Sequence, residues 1–113
     1  MTANRRRGEI SAELDGRTLR LCLTLGALAE LESAYAADDR GALVERFSRG
    51  RLSALDMIRL IGAGLRGAGN DIADDAVGRM QSTNGAAGFA AIVSELLTTT
   101  FGAASPGEAQ ANP

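Results

Sequence analysis

The chain has no histidine, no lysine and no tryptophan, a single cysteine, and only four aromatic residues. Each absence closes a route. Without histidine, a Ser-His-Asp arrangement or a histidine-activated thiol cannot be built, and the commonest transition-metal ligand is missing. One cysteine, Cys22, cannot form an internal disulfide, and on an alternating strand pattern it reads as a small buried hydrophobe. The aromatics Tyr35, Phe47, Phe89 and Phe101 each fall on an apolar helical stripe, so none is free to stack on a base. No apolar run approaches the roughly 20 residues that span a bilayer. The N-terminal Arg5, Arg6 and Arg7 are followed by polar, alternating sequence, so a secretory signal is not expected and an intracellular, cytoplasmic location is.

What is present is ordinary for a globular domain: 113 residues, 45% hydrophobic and 23% charged, with a net charge of −2. That length suits one domain, able to bury roughly two-thirds of the surface its unfolded chain exposes. A slightly acidic chain has no overall attraction for nucleic acid. The cluster Arg5 to Arg7 could contact phosphate, although short terminal charge runs are more often solvated arms.

The organising stretch is Arg17 to Tyr35, where a strand period hands over to a helix period. Leu19, Leu21 and Leu23 alternate with Arg20 and Cys22, then Thr24 offers an N-cap and Leu25, Leu28, Leu31 and Tyr35 recur at helical steps. Ahead of it, Ile10, Ala12 and Leu14 alternate against Glu9, Ser11 and Glu13. Asp15-Gly16 between the two runs is a favoured two-residue hairpin turn, because both central positions of a type I′ turn need positive φ. This predicts a hairpin over 8–23, which as a two-stranded ribbon needs cover from the helix that follows.

Further helices are predicted at about 25–36, 40–49, 54–67, 74–81 and 86–101. Asp38-Asp39 opens the second. Ser53 and Asp56 form a capping box for the third, with Asp in place of Glu. On the third helix Asp56, Arg59, Ala63 and Arg66 share a narrow strip, and Leu55, Met57, Ile58, Leu60, Ile61 and Leu65 cover the rest. Gly62, Gly64 and Gly67 spell G-x-G-x-x-G, but a dinucleotide site needs a strand before the loop and an acid-bearing strand after it. Neither follows, so the glycines read as sites of close packing. Asp71, Asp74 and Asp75 suit the first turn of a helix and lack the spacing of an EF-hand loop. The last helix carries Phe89, Ile92, Val93, Leu96 and Leu97 on one stripe. No catalytic constellation, cofactor site or metal site is singled out, and a non-enzyme is expected.

The fold class read from this pattern is α+β: an N-terminal two-stranded antiparallel hairpin packed on about five helices. A basic arm over 1–7 precedes a single domain over 8–101, and a disordered tail covers 102–113. Most of the last helix's stripe reads as core, and candidates for partner contact are Arg59 and Arg66 on the third helix, with Phe89, Val93, Leu96 and Leu97 on the last where the core leaves them uncovered.

Three segments carry a resemblance: NRRRGEISAELDGRTLRLCLTLGALAELE, ERFSRGRLSALDMIRLIGAGLRGAG and DDAVGRM. Over about residues 4 to 101 the chain resembles the small gene-transfer-agent family proteins of alphaproteobacteria and related siphophage-like prophages. The resemblance implies a tail assembly chaperone that coats the tape-measure protein and helps tail tube subunits gather around it, inside the host cell. Self-association is also compatible, and a frameshifted longer form occurs in such families. A structural tail tube component is the alternative; a small DNA-binding regulator using the basic arm is the second. Ala73 stands where relatives tend to carry a capping Ser or Thr, which unsettles the start of the fourth helix.

Overall fold

The computed structural model describes residues 8–48 and 51–102, so the basic arm over 1–7 and the tail beyond Gly102 lie outside it. The hairpin forms as its pattern dictates. Strand β1 (Glu9–Leu14) pairs antiparallel with β2 (Arg17–Cys22), in a register running from Glu9 opposite Cys22 to Leu14 opposite Arg17. Asp15 and Gly16 turn the chain with φ of 55° and 73°, the left-handed pair that a type I′ turn requires. One face of the ribbon buries Ile10, Ala12, Leu14 and Leu21.

Thr24 then caps α1 (Leu25–Tyr35), its hydroxyl accepting from the Ala27 N–H at 3.2 Å. The buried face is Ala27, Leu28 and Leu31. Leu25, predicted to share it, is 82% exposed. It is the first helical residue, and a Cα–Cβ bond tilted toward the helix N-terminus carries its side chain past the corner rather than over the hairpin. The helix ends on Ala36, held left-handed at φ 52°, while the Ala37 N–H reaches back to the Glu32 carbonyl at 2.8 Å.

Helix α2 (Arg40–Phe47) is capped by Asp39 and buries Leu43 and Phe47. It stops at Phe47 rather than 49, with Ser48 as its C-cap. Helix α3 (Ala54–Gly67) is the hub: it packs on β2, α1, α4 and α5. Its capping box forms as the spacing predicts, with Asp56 N–H to Ser53 Oγ at 3.0 Å and Ser53 N–H to Asp56 Oδ2 at 2.9 Å. The expected division of its faces does not hold. Asp56 and Ala63 are buried and Leu55 is 51% exposed, because α1 packs along α3 and Asp56 is reached by Tyr35 of α1 and Arg46 of α2.

The fourth helix is much shorter than predicted. Helix α4 spans only Asp74–Val77; its N-cap, Ala73, has no side-chain hydrogen bond to offer. Beyond Gly78 the chain turns back to the hairpin, where the Asp15 N–H donates to the Gln81 carbonyl at 2.8 Å and Leu14 bridges Ser82. That tertiary contact ends the helix before Met80. Helix α5 (Gly85–Phe101) packs along β1 and α3 and closes the core with Val93 and Leu96.

The glycine run of α3 is packing, as the absence of a following strand implied. A Cβ on Gly67 would collide with the Cys22 carbonyl oxygen, one on Gly62 with the Asp74 carboxylate, and one on Gly64 would press on Leu21 and Leu96 at 3.0–3.3 Å. The three glycines let β2, α4 and α5 approach one helix from three sides.

Candidate functional site

Two surfaces gather chemistry. The first lies where α1 ends, α2 passes and α3 begins. Asp56 is 6% exposed, a charge position that proteins tolerate only with partners. Its two oxygens are both engaged. Oδ2 closes the capping box, and Oδ1 accepts from the Tyr35 hydroxyl at 2.5 Å and from an Arg46 guanidinium nitrogen at 3.4 Å. The Tyr35 ring has the Arg46 guanidinium 4.7 Å from its centroid and that of Arg59 at 5.2 Å, and it meets Phe47 edge to face at 5.4 Å. Two cations on one ring, with an anion at its hydroxyl, make a compact network that joins α1, α2 and α3.

Electrostatics follow from that packing. Burial pushes the Asp56 carboxyl up, but donors from Tyr35, from the Ser53 backbone and hydroxyl, and from Arg46 outweigh it, so its pKa lies below the usual 3.8. Burial first, then the hydrogen bond to Asp56, raise the Tyr35 phenol from 10.0 to about 12, with Arg59 opposing. Both shifts favour the ionisation states that the network uses. Burial, aided by the charge of Glu9, also pushes the Cys22 thiol up, which suits its place as a small hydrophobe.

The second surface is an apolar groove of about 200 Å³ between α3, α4 and α5, lined by Met57, Ile58 and Ile61, by Val77 and Met80, and by Phe89. Methionine side chains adapt to irregular shapes, so this groove can repack around what it meets.

The sequence candidates separate on these coordinates. Arg59 sits half-exposed over Tyr35, and Phe89 lines the groove. Leu97 is half-buried against the core. Val93 and Leu96 were misplaced: at 1% and 0% exposure they are core, since α5 turns that face to β1 and α3. Arg66 is a staple rather than a free cation. It pairs with Glu30 at 2.6 Å and Asp74 at 3.0 Å and donates to the Ile72 carbonyl at 2.8 Å, tying α1, α3 and α4 together. Arg46, Tyr35, Met57 and Met80 were not singled out; the spacing of Leu43, Arg46 and Phe47 at i, i+3 and i+4 was the available signal for the first network.

Among the described residues no three of His, Cys, Asp or Glu converge as a metal site, and no helix is long and apolar enough to cross a membrane. The profile of a family described as "Phage tail tube protein, GTA-gp10" matches residues 7–103. Neither a curated protein nor a solved structure matches the chain. Matched from the start of its hairpin to the end of α5, the chain belongs to this gene-transfer-agent and phage tail family, and its role is tail-related.

Proposed function

We propose that this member of the family acts as a tail assembly chaperone. It binds the tape-measure protein in the host cytoplasm, shields its apolar helical stripes, and hands it to tail tube subunits. The observation that carries this reading is the state of the hairpin's edges. A tube subunit completes a ring by extending its sheet into a neighbour's, which requires strands with open backbone edges. On the outer edge of β2 the Asn70 amide donates to the Arg20 carbonyl at 2.8 Å, and Gly67 packs close against the Cys22 carbonyl. The turn end of β1 is closed by Gln81 and Ser82. Helices make up most of the remaining described chain, and half-buried apolar surface lies between them. Such a body suits helix-in-groove contacts with a long helical client.

The tube reading stands beside it because the family's own description carries that name. Particle composition separates the two. A chaperone is lost before maturation, so finished particles contain no more than traces of this chain; a tube subunit is present in large excess over the tape measure. Quantitative mass spectrometry of purified particles checks this, and abundance at tube stoichiometry overturns the chaperone.

A further inference from the structure

Helix α2 is short and lies on the outside of the fold. It has eight residues, too few to be stable as a helix alone, and it packs chiefly on α1. Its backbone hydrogen bonds among the described residues are internal to the helix and its caps, and one side-chain contact, Arg46 to Asp56, joins it to α3 by a polar bond. Three side chains do the seating. Leu43 and Phe47, four residues apart, are 0% and 7% exposed, and Arg46 lies on the Tyr35 ring with its tip at the Asp56 carboxylate.

The seat beneath has a character of its own. Its anion is fixed without α2, because Asp56 is already held by Ser53 and Tyr35, and the Tyr35 ring that meets Phe47 belongs to α1. With α2 lifted, the Tyr35 ring and a buried carboxylate are uncovered, with Arg59 of α3 still over that ring, and the place Arg46 leaves beside the carboxylate calls for a cation between two apolar anchors.

We infer that α2 is a built-in plug, and that its seat between α1 and α3 receives an amphipathic helix of a partner protein with the same chemistry. That helix carries a large aliphatic residue at i, Arg or Lys at i+3, and a second large apolar residue at i+4. Charge complementarity selects the occupant: Asp56 rejects a helix with an acid at the central position and favours Arg or Lys over an apolar residue there. The identification of that partner with the tape-measure protein rests on the chaperone reading; the plug and its seat do not. The arrangement makes partner binding a competition with the chain's own helix, so weakening the plug strengthens the partner.

The test uses the full chain and a labelled synthetic peptide, Asp38–Ser48, titrated by fluorescence anisotropy, with hydrogen exchange of the α2 amides read in parallel. Arg46 is half-exposed, so Arg46→Ala leaves the core intact while loosening the plug. The parent's α2 amides exchange by local opening, ahead of those of α3. In Arg46→Ala that exchange is roughly two- to fivefold faster and the peptide binds roughly two- to fivefold more tightly, the range for a partly exposed ion pair. Arg46→Lys returns both to the parent's values, and a peptide with Glu in place of Arg46 does not bind. If α2 exchanges only together with α3, or if the peptide binds Arg46→Ala no better than the parent, the inference falls. A tape-measure fragment retained more strongly by Arg46→Ala than by the parent supports the competition; one retained by the parent and lost by Arg46→Ala overturns it. Retention by neither, with the peptide still bound, removes the chaperone reading and leaves the seat standing.

Discussion

Asp56 shows how much one side chain can be asked to do. It closes a helix cap, holds the only tyrosine, and gives Arg46 a reason to lie flat on that ring. Because its pKa is below the ordinary 3.8, its contribution to stability is present above about pH 4 and is lost as the pH falls through the lower folded value. Asp56→Asn removes that acid limb and costs about 2–3 kcal/mol at neutral pH, through the cap and two donors left short of an acceptor; urea unfolding across pH 2–7 measures both. Tyr35 works at the other end of the scale. A phenol raised to about 12 stabilises the fold below pH 10 and loses that contribution as the pH rises from 10 toward 12. With no tryptophan and no second tyrosine, phenolate absorbance reports this group alone, so its midpoint falls near 12 or coincides with alkaline unfolding; a midpoint near 10 in folded protein contradicts the network. The sequence made half of this site legible. Ser53 and Asp56 are three apart and read as a cap, but Tyr35 lies 21 residues away and its pairing exists only once α1 and α3 have packed.

Among the elements, α3 decides most of the packing, and its glycines do so unequally. Gly67 faces a backbone carbonyl that cannot rotate away, whereas Gly62 faces the end of the Asp74 side chain. Gly67→Ala therefore destabilises by about 1–3 kcal/mol, while Gly62→Ala trades a displaced ion-pair partner against roughly 1 kcal/mol of helix propensity and stays within about 1 kcal/mol of the parent. Thermal unfolding of the two variants ranks them, and equal losses would mean that β2 does not lie against the end of α3. Helix α4 makes the opposite point. Its N-cap is Ala73, so Ala73→Ser adds an acceptor and raises stability by about 0.5–1 kcal/mol, measured as a rise in Tm. Caps and turns are local, which is why the N-caps Thr24, Asp39 and Ser53 and the Asp15-Gly16 turn were readable from short spacings. The far end of α4 was not. It stops where Gln81 and Ser82 meet the hairpin, a contact between residues 66 apart that no local period encodes. The faces of α3 were misread for a related reason. A helix packed by α1, α4, α5 and the hairpin has no solvent face broad enough to collect its polar residues, so Asp56 is buried and Leu55 is not.

At the scale of the molecule, a two-stranded ribbon is kept in place by α3 and α5, with α1 folded back from the corner at Thr24 and α2 laid on the outside. One carbonyl on the β2 edge and the turn end of β1 are bonded from within, the core is one cluster that includes Leu43 and Phe47 of α2, and an apolar groove lies at the surface. On the proposed reading, that distribution serves a phage-type tail protein that holds another polypeptide for a time. The α+β class followed from period alone; the resemblance carried the family. Which surface meets the partner was beyond the sequence, because Val93 and Leu96 share their stripe with Phe89 and only tertiary packing tells core from groove. The measurement that bears most directly on the account is the solubility of the neighbouring tape-measure protein expressed with and without this chain. Co-expression is predicted to shift the tape measure from the insoluble to the soluble fraction, with this chain co-purifying on it; a tape measure equally insoluble in both cases, from which this chain separates, would contradict the account.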